Sequence, residues 1–364
     1  MMKIMKRWID RIFQEEETLV LLLLITVVAM MLVWLGSVLA PVIAALVAAF
    51  VMQGLIAQMV KAKVPESVAT TLAFLLFIGV FFGVLLVLLP LVWQQLTALV
   101  QEAPELLAQL KAALLVLPER YEVITTQQVN DLIRYASNEF QRFGQQIVSF
   151  SIAQLFNVVT VLIYLIIIPL LVFFFLKDKN TILTWMASFL PARRPVMNRV
   201  WDEMNDQVAN YVRGKFIEIV IVGVATYVAF AWLGINYAAL LALLVGLSVV
   251  IPYIGAAAVT VPVAMVAFLQ WGWSGDFMTL MAVYLIIQGL DGNVLVPLLF
   301  SEAVNMHPVA IILAVLMFGG IWGLWGVFFA IPLATLIKAI INAWPKPRDL
   351  DGELSEMNEE TITE

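Results

Sequence analysis

The sequence predicts an all-α polytopic membrane protein of about eight transmembrane helices, with Gly/Pro-broken or re-entrant helices in its carboxy-terminal half. Three observations predict it. Of 364 residues, 63% are hydrophobic and only 13% charged, against roughly 25% charged in an average soluble domain. Between Glu218 and Lys338 the chain runs 119 residues without a Lys or Arg, and its only formal charges there are Asp276, Asp291 and Glu302. Several apolar windows, among them Leu19 to Ala40, Val68 to Val92 and Ile152 to Leu176, exceed the roughly 18 to 20 residues that cross a bilayer core of about 30 Å. Each is expected to be helical, because lipid offers backbone groups no hydrogen-bond partner.

Residues 1–93 read as an amino-terminal transmembrane scaffold. A helical hairpin, Leu19 to Leu39 and Val42 to Val60, turns at Gly36 to Pro41, because Pro suits a turn or a first helical turn and not a helix middle. The first arm is read as a retained helix: its apolar core is too long for a cleaved leader, and no small-residue cleavage pattern follows. A long third span, Val68 to Val92, completes this part. Residues 94–150 form an outward-side, amphipathic helical segment. Apolar residues recur at helical spacing from Leu96 to Leu117, up to Pro118, and again after Thr126 through Val129, Ile133, Phe140 and Ile147. A cap folded on its own apolar stripe and an interfacial or intersubunit arm both fit that pattern.

Residues 151–176 are the fourth membrane helix, and 177–216 a cytoplasmic linker with an amphipathic helix around Met197 to Arg213. Its cluster of Arg193, Arg194 and Arg199 reads as a topology determinant. Residues 217–344 differ in texture, as a transport-type unit would. Pro and Gly interrupt the apolar runs at Pro252, Gly255, Pro262, Gly292, Pro297, Pro308, Gly319, Gly320, Gly323, Gly326 and Pro332. Broken helices at membrane depth are tolerated where the freed backbone groups line a cavity or are buried in protein, and in transporters such breaks mark the binding site. The acidic tail, 345–364, is expected to be disordered and solvated.

Charge placement orients this layout. Sixteen of the 20 Lys and Arg fall in residues 1–18, 61–66, 177–216 and 338–364, which therefore face the cytoplasm. The other four, Lys111, Arg120, Arg134 and Arg142, lie among six acids in 94–150. Both termini are then cytoplasmic.

Much chemistry is excluded. With no Cys and the single His307, disulfide frameworks, thiolate metal sites and cysteine nucleophiles are closed, and triads or sites needing several imidazoles have too few ligands. HExxH, GxSxG and GxxxxGK[ST] are missing. The reading is of no enzyme, with no catalytic residues, no metal and no cofactor. A formal charge of −6 argues against nucleic acid as a partner.

Asp291 is the leading site candidate. It sits in the middle of an apolar run from Phe277 to Phe300, where a charged side chain costs from about 2.5 to 3.5 kcal/mol upward and usually serves an ion or substrate pathway. A buried, neutralised or capping acid is the plainer alternative. Gln288 and Asn293 add amide groups nearby. The three share one face only if Gly292 breaks the helix, which would let Asp291 and Asn293 converge on a polar pocket; Gly292 as a plain kink is the other reading. Glu302 and His307 flank the polar link Ser301 to Pro308, where a proton relay competes with an ordinary surface loop. Asp276 reads as an interfacial turn residue. Trp271, Trp273, Trp322, Trp325 and Trp344 read as interface anchors, and Gly79 with Gly83 and Gly319 with Gly323 as close-approach pairs.

Ile251-Pro252-Tyr253-Ile254-Gly255, Asp291-Gly292-Asn293-Val294-Leu295-Val296-Pro297, His307-Pro308, and the glycines from Gly319 to Gly326 with Pro332 together resemble the autoinducer-2 exporter (AI-2E) family, within it the PerM-type permeases. The likeness extends from the Leu39-Ala40-Pro41 turn through Phe175-Leu176-Lys177-Asp178-Lys179 to Trp344-Pro345. The resemblance implies an inner-membrane carrier with about eight helices, cytoplasmic termini, no nucleotide requirement and a homo-oligomeric state, a pentamer among the candidates. Its implied partners are membrane lipid, a small polar solute such as autoinducer-2, and a proton or sodium coupling ion. Many relatives carry Glu where this chain has Asp291, and a Gly-Lys-like pair where it has Ser301-Glu302. These departures fall in the candidate pocket, so no substrate is carried over. Three functions follow for testing: a secondary transporter, a non-transporting assembly protein recruiting partners through 94–150 and 177–216, and a channel.

Overall fold

The computed structural model describes residues 16–115, parts of 127–145, and 158–252, 254–300 and 306–343, and every regular element among these residues is helical. In chain order they are α1 (Glu16–Lys61), α2 (Glu66–Gly83), a π-helical turn (Val84–Leu88), α3 (Leu89–Leu115), α4 (Val158–Lys177), α5 (Lys179–Ala187), α6 (Pro195–Leu233), α7 (Ala238–Ser248), α8 (Ile254–Trp271), α9 (Gly275–Leu290), a second π turn (Asp291–Leu295), α10 (Val296–Phe300), α11 (Pro308–Phe328) and α12 (Ala330–Ala343). Among the described residues seven helices are long and apolar enough to cross a membrane, while α7 and Ala330–Ile340 are apolar but shorter. Their outer surfaces are apolar to a degree a soluble monomer would not tolerate: Trp232, Leu298, Leu324 and Leu86 are all more than 70% exposed.

One expectation is corrected. No hairpin forms at Gly36 to Pro41, because α1 runs 46 residues straight through both. Apolar residues continue on either side of Pro41. In lipid, keeping the remaining backbone bonds of a continuous helix outweighs the one donor that proline removes. The third span likewise passes through the π turn at Val84–Leu88 into α3 without interruption, so the amphipathic stretch is a continuation of a membrane helix. Further along, Val129 and Ile133 are buried, on the apolar stripe expected there. At the other side of α4, the Arg194 guanidinium donates to the Ala187 carbonyl at 2.8 Å and so satisfies the end of α5.

The chain divides into two compact units. One gathers the described parts of Met1–Ile43, Lys177–Arg213 and Phe300–Glu364. Its distinctive feature is a reversal inside α11, where Gly323 adopts φ 60°, ψ −136°. Phe318 and Gly326 would lie about 12 Å apart along a straight helix. Here the chain doubles back so closely that a Cβ on Gly326 would stand 1.8 Å from the Phe318 carbonyl oxygen. Tyr211, buried, donates to the Phe328 carbonyl at 3.0 Å and fixes the returning arm of this hairpin.

The other unit comprises the described parts of Ala44–Leu176 together with Gly214–Leu299. Its core joins Val222 and Phe230 of α6, Leu241 and Val245 of α7, Val259, Val263 and Val266 of α8, and Phe277, Leu280 and Tyr284 of α9. Burying each such side chain is worth about 1.5–3 kcal/mol, which holds four successive helices together. α6 and α7 approach backbone to backbone: a Cβ on Gly246 would meet Gly223 Cα at 3.0 Å and the Ile219 carbonyl oxygen at 3.1 Å. α7 and α8 form an antiparallel hairpin. At its open end the Gln270 side chain accepts from the Asn236 N–H at 2.7 Å and donates to the Gly234 carbonyl at 2.9 Å. At its tip, Gly255 is required because a Cβ there would stand 1.8 Å from the Ser248 carbonyl oxygen. The 11 residues of α7 rise only about 16 Å, half of a bilayer core.

Candidate functional site

The site in this second unit starts from the face of α9. Tyr284, Gln288 and Asp291 recur at helical spacing and point the same way. Tyr284 is fully buried, its hydroxyl 2.8 Å from Thr260 Oγ1 and 3.3 Å from the Ala256 carbonyl, which ties α9 to α8. One and two turns on, Gln288 Nε2 and Asp291 Oδ1 are both buried and have no hydrogen-bond partner among the described residues. An orphaned buried acceptor or donor costs about 1–3 kcal/mol, more when charged, so each needs an explanation.

Facing them is a buried ion pair on α6. Lys215 is 4% exposed and Glu218 2%. The Lys215 ammonium donates to Glu218 Oε2 at 2.7 Å and to the carbonyl of Val249, just past the end of α7, at 2.8 Å. Asp291 acts electrostatically on both members of the pair. Three formal charges, two negative and one positive, therefore gather where α6, the tip of the α7–α8 hairpin and the end of α9 meet. Half-helix ends and interrupted backbone at such a junction are the usual elements of ion and solute sites in carriers.

The second π turn begins at Asp291. A π turn widens the helix by one residue and is found most often at functional sites. Gly292 does not break the helix; Leu290, Asp291 and Val296 all keep right-handed helical angles. Asn293 is exposed, and its Nδ2 donates to the Gly289 carbonyl at 2.8 Å, so its amide serves the widened backbone instead of converging with Asp291. The partner that shares a buried face with Asp291 is Gln288, three residues earlier.

The remaining candidates lie elsewhere. His307 is exposed at the start of α11, where Nδ1 accepts from the Val309 N–H at 3.3 Å and Pro308 follows as the first helical residue. Glu302 lies outside the described residues, as do Trp344 and the acidic tail. Among the anticipated breaks, Pro252 stands in the non-helical tip before α8, and Gly323 is a true reversal. Gly319 and Gly320 stay helical; Pro332 sits within the first turn of α12, where the missing N–H has no helical partner to lose, while Pro297 follows the second π turn inside a continuous helix and removes one donor there. Gly255 and Gly319 act by close approach: a Cβ on Gly319 would meet Val327 Cγ2 at 2.8 Å.

Lys215 and Glu218 were not singled out from the sequence, although the signal was there: opposite charges at i, i+3 where the apolar half of α6 begins. A cavity of about 250 Å³ opens at the other end of the same unit, lined by Glu102, Glu105, Gln109, Asn236, Tyr237 and Gln270 among others. There Tyr237 takes a left-handed φ of 59° and donates its phenol to Glu102. Burial, and then the Glu102 carboxylate, push the Tyr237 phenol above its ordinary range, so it keeps its proton. No group of three or more His, Cys, Asp or Glu among the described residues could hold a metal ion.

The chain matches the family model described as AI-2E family transporter over residues 19–346. It is 45% identical over 273 residues to PerM of Escherichia coli K12, a protein named as a permease, covering 74% of this chain and 75% of that one. It is also 28% identical over 258 residues to YueF of Bacillus subtilis, named as a transport protein, covering 69% of each.

Proposed function

The chain belongs to the AI-2E transporter family, and we propose on that basis that it is a secondary carrier moving a small polar solute across the bacterial inner membrane by alternating access. The observation that supports this most is Asp291: a carboxylate with a buried, unpartnered oxygen, beside an equally unpartnered Gln288 Nε2, at the start of a π turn and near the end of the half-span helix α7. A buried acceptor and donor three residues apart suit a polar group that both donates and accepts, or a coupling ion with its water. Charge distribution favours a cytoplasmic carboxy terminus, and the resemblance favours a homo-oligomer.

The test is reconstitution into vesicles loaded with autoinducer-2, with efflux compared with and without an imposed proton gradient. Gradient-dependent efflux that Asp291→Asn abolishes, with folding and oligomeric state unchanged, is the expected result. Full flux from Asp291→Asn would remove Asp291 from the mechanism, and no efflux above empty vesicles would reject this solute.

A further inference from the structure

We propose that the Lys215 ammonium is a tethered cation filling an internal monovalent-cation site, built from the Val249 carbonyl, the Glu218 carboxylate and the neighbouring Asp291. With its own side-chain cation in place, the protein takes no sodium there. The site lies at the end of α7. A half-helix that stops inside the membrane thickness presents carbonyl oxygens and the negative end of its dipole to whatever lies beyond. In carriers, such ends with a carboxylate nearby are where sodium or protons bind. Here the position beyond Ser248 is occupied by Lys215 Nζ, 2.8 Å from the Val249 oxygen and 2.7 Å from Glu218 Oε2. Oxygen ligands of those two kinds would serve an alkali cation equally well.

Charge arithmetic supports the same reading. Glu218 is almost wholly buried, and a buried carboxylate is expensive without a compensating cation. Lys215 supplies one, and the covalent tether means that compensation does not depend on the ion content of the medium. Asp291 lies close enough to act on both charges, so removing Lys215 alone leaves the Glu218 carboxylate and the Val249 carbonyl at an ammonium-sized space, with the Asp291 charge nearby. That is an oxygen-lined site for a small monovalent cation. The set falls short of what divalent ions take, six to eight oxygens for calcium or an octahedral shell for magnesium.

The site itself is independent of the transport reading; only its consequence, a carrier that runs without sodium, rests on it. The closing experiment keeps the two apart. Purified full-length protein is melted in sodium chloride and in choline chloride at equal ionic strength, so that general screening cancels. Wild type and Lys215→Arg should melt at the same temperature in both salts. Lys215→Ala and Lys215→Gln should melt lower in choline and be raised by several degrees in sodium, as a ligand binding only the folded state requires. A sodium-specific shift in wild type would overturn the proposal. So would neutral variants that fold yet ignore sodium, or that fold in neither salt, since sodium should replace the lost ammonium. In vesicles, sodium-insensitive flux by wild type and sodium-dependent flux by Lys215→Ala should follow. Flux intact with the melting pattern absent sinks only the cation site, and the melting pattern without flux sinks only the transport reading.

Discussion

Lys215 and Glu218 show what a single buried pair demands. Replacing Lys215 by Met leaves Glu218 as an uncompensated buried charge, which typically costs about 3–5 kcal/mol. Removing both together, as Lys215→Met with Glu218→Met, leaves an apolar contact of similar volume and should recover most of that loss. Thermal unfolding in choline chloride of the two singles and the double checks this, and additive losses would contradict it. Asp291 was legible from sequence because an acid inside an apolar run is anomalous wherever it points. Lys215 and Glu218 were harder to see: they stand at the edge of the charge-poor region, where a Lys and a Glu are ordinary helix-end residues, and only the fold shows them buried against the α7 tip. At Asn293 and His307 the sequence leaves a ligand-binding role and a local one both open. Short polar side chains bond local backbone as readily as a ligand, and both do so here.

Helix breaks are the feature that separates the elements of the two units. Gly323 takes a conformation open essentially to Gly alone, so Gly323→Ala should cost on the order of 1–3 kcal/mol. Gly326→Ala should be worse, because its Cβ would overlap the Phe318 carbonyl oxygen; the α11–α12 hairpin could not close as it stands. Comparing the melting temperatures of both variants with that of Gly320→Ala, where a Cβ meets nothing within 4 Å, tests the claim, and equal effects at all three positions would contradict it. Sequence pattern identified this region as broken. It did not distinguish a reversing glycine from one that merely permits close packing, because composition is the same for both and only backbone angles and neighbours differ. It also placed a turn at Pro41, where α1 continues: proline's local preference was outweighed by the requirement that lipid-embedded backbone stay bonded.

Across the whole molecule, the inside-positive charge pattern and the apolar exterior together predict orientation. The natural chain has no Cys, so single cysteines can be read without background. Asn236→Cys, at the open end of the α7–α8 hairpin, should react with a membrane-impermeant maleimide added outside intact cells, and Ala62→Cys, between α1 and α2, should not. The reverse pattern would invert the topology. The helical membrane class was fully evident from hydropathy, since a bilayer permits few alternatives; the junction of α6, α7 and α9 was not, because it depends on contacts between residues 34 and more positions apart. The account stands most directly on saturable solute flux in reconstituted vesicles, measured side by side for wild type, Asp291→Asn and Asp291→Glu. It predicts flux that saturates in wild type, falls at least about tenfold in Asp291→Asn, the scale of one lost interaction worth 1.4 kcal/mol or more, and returns in part with Asp291→Glu. Unsaturable flux, or flux that all three chains share equally, would contradict it.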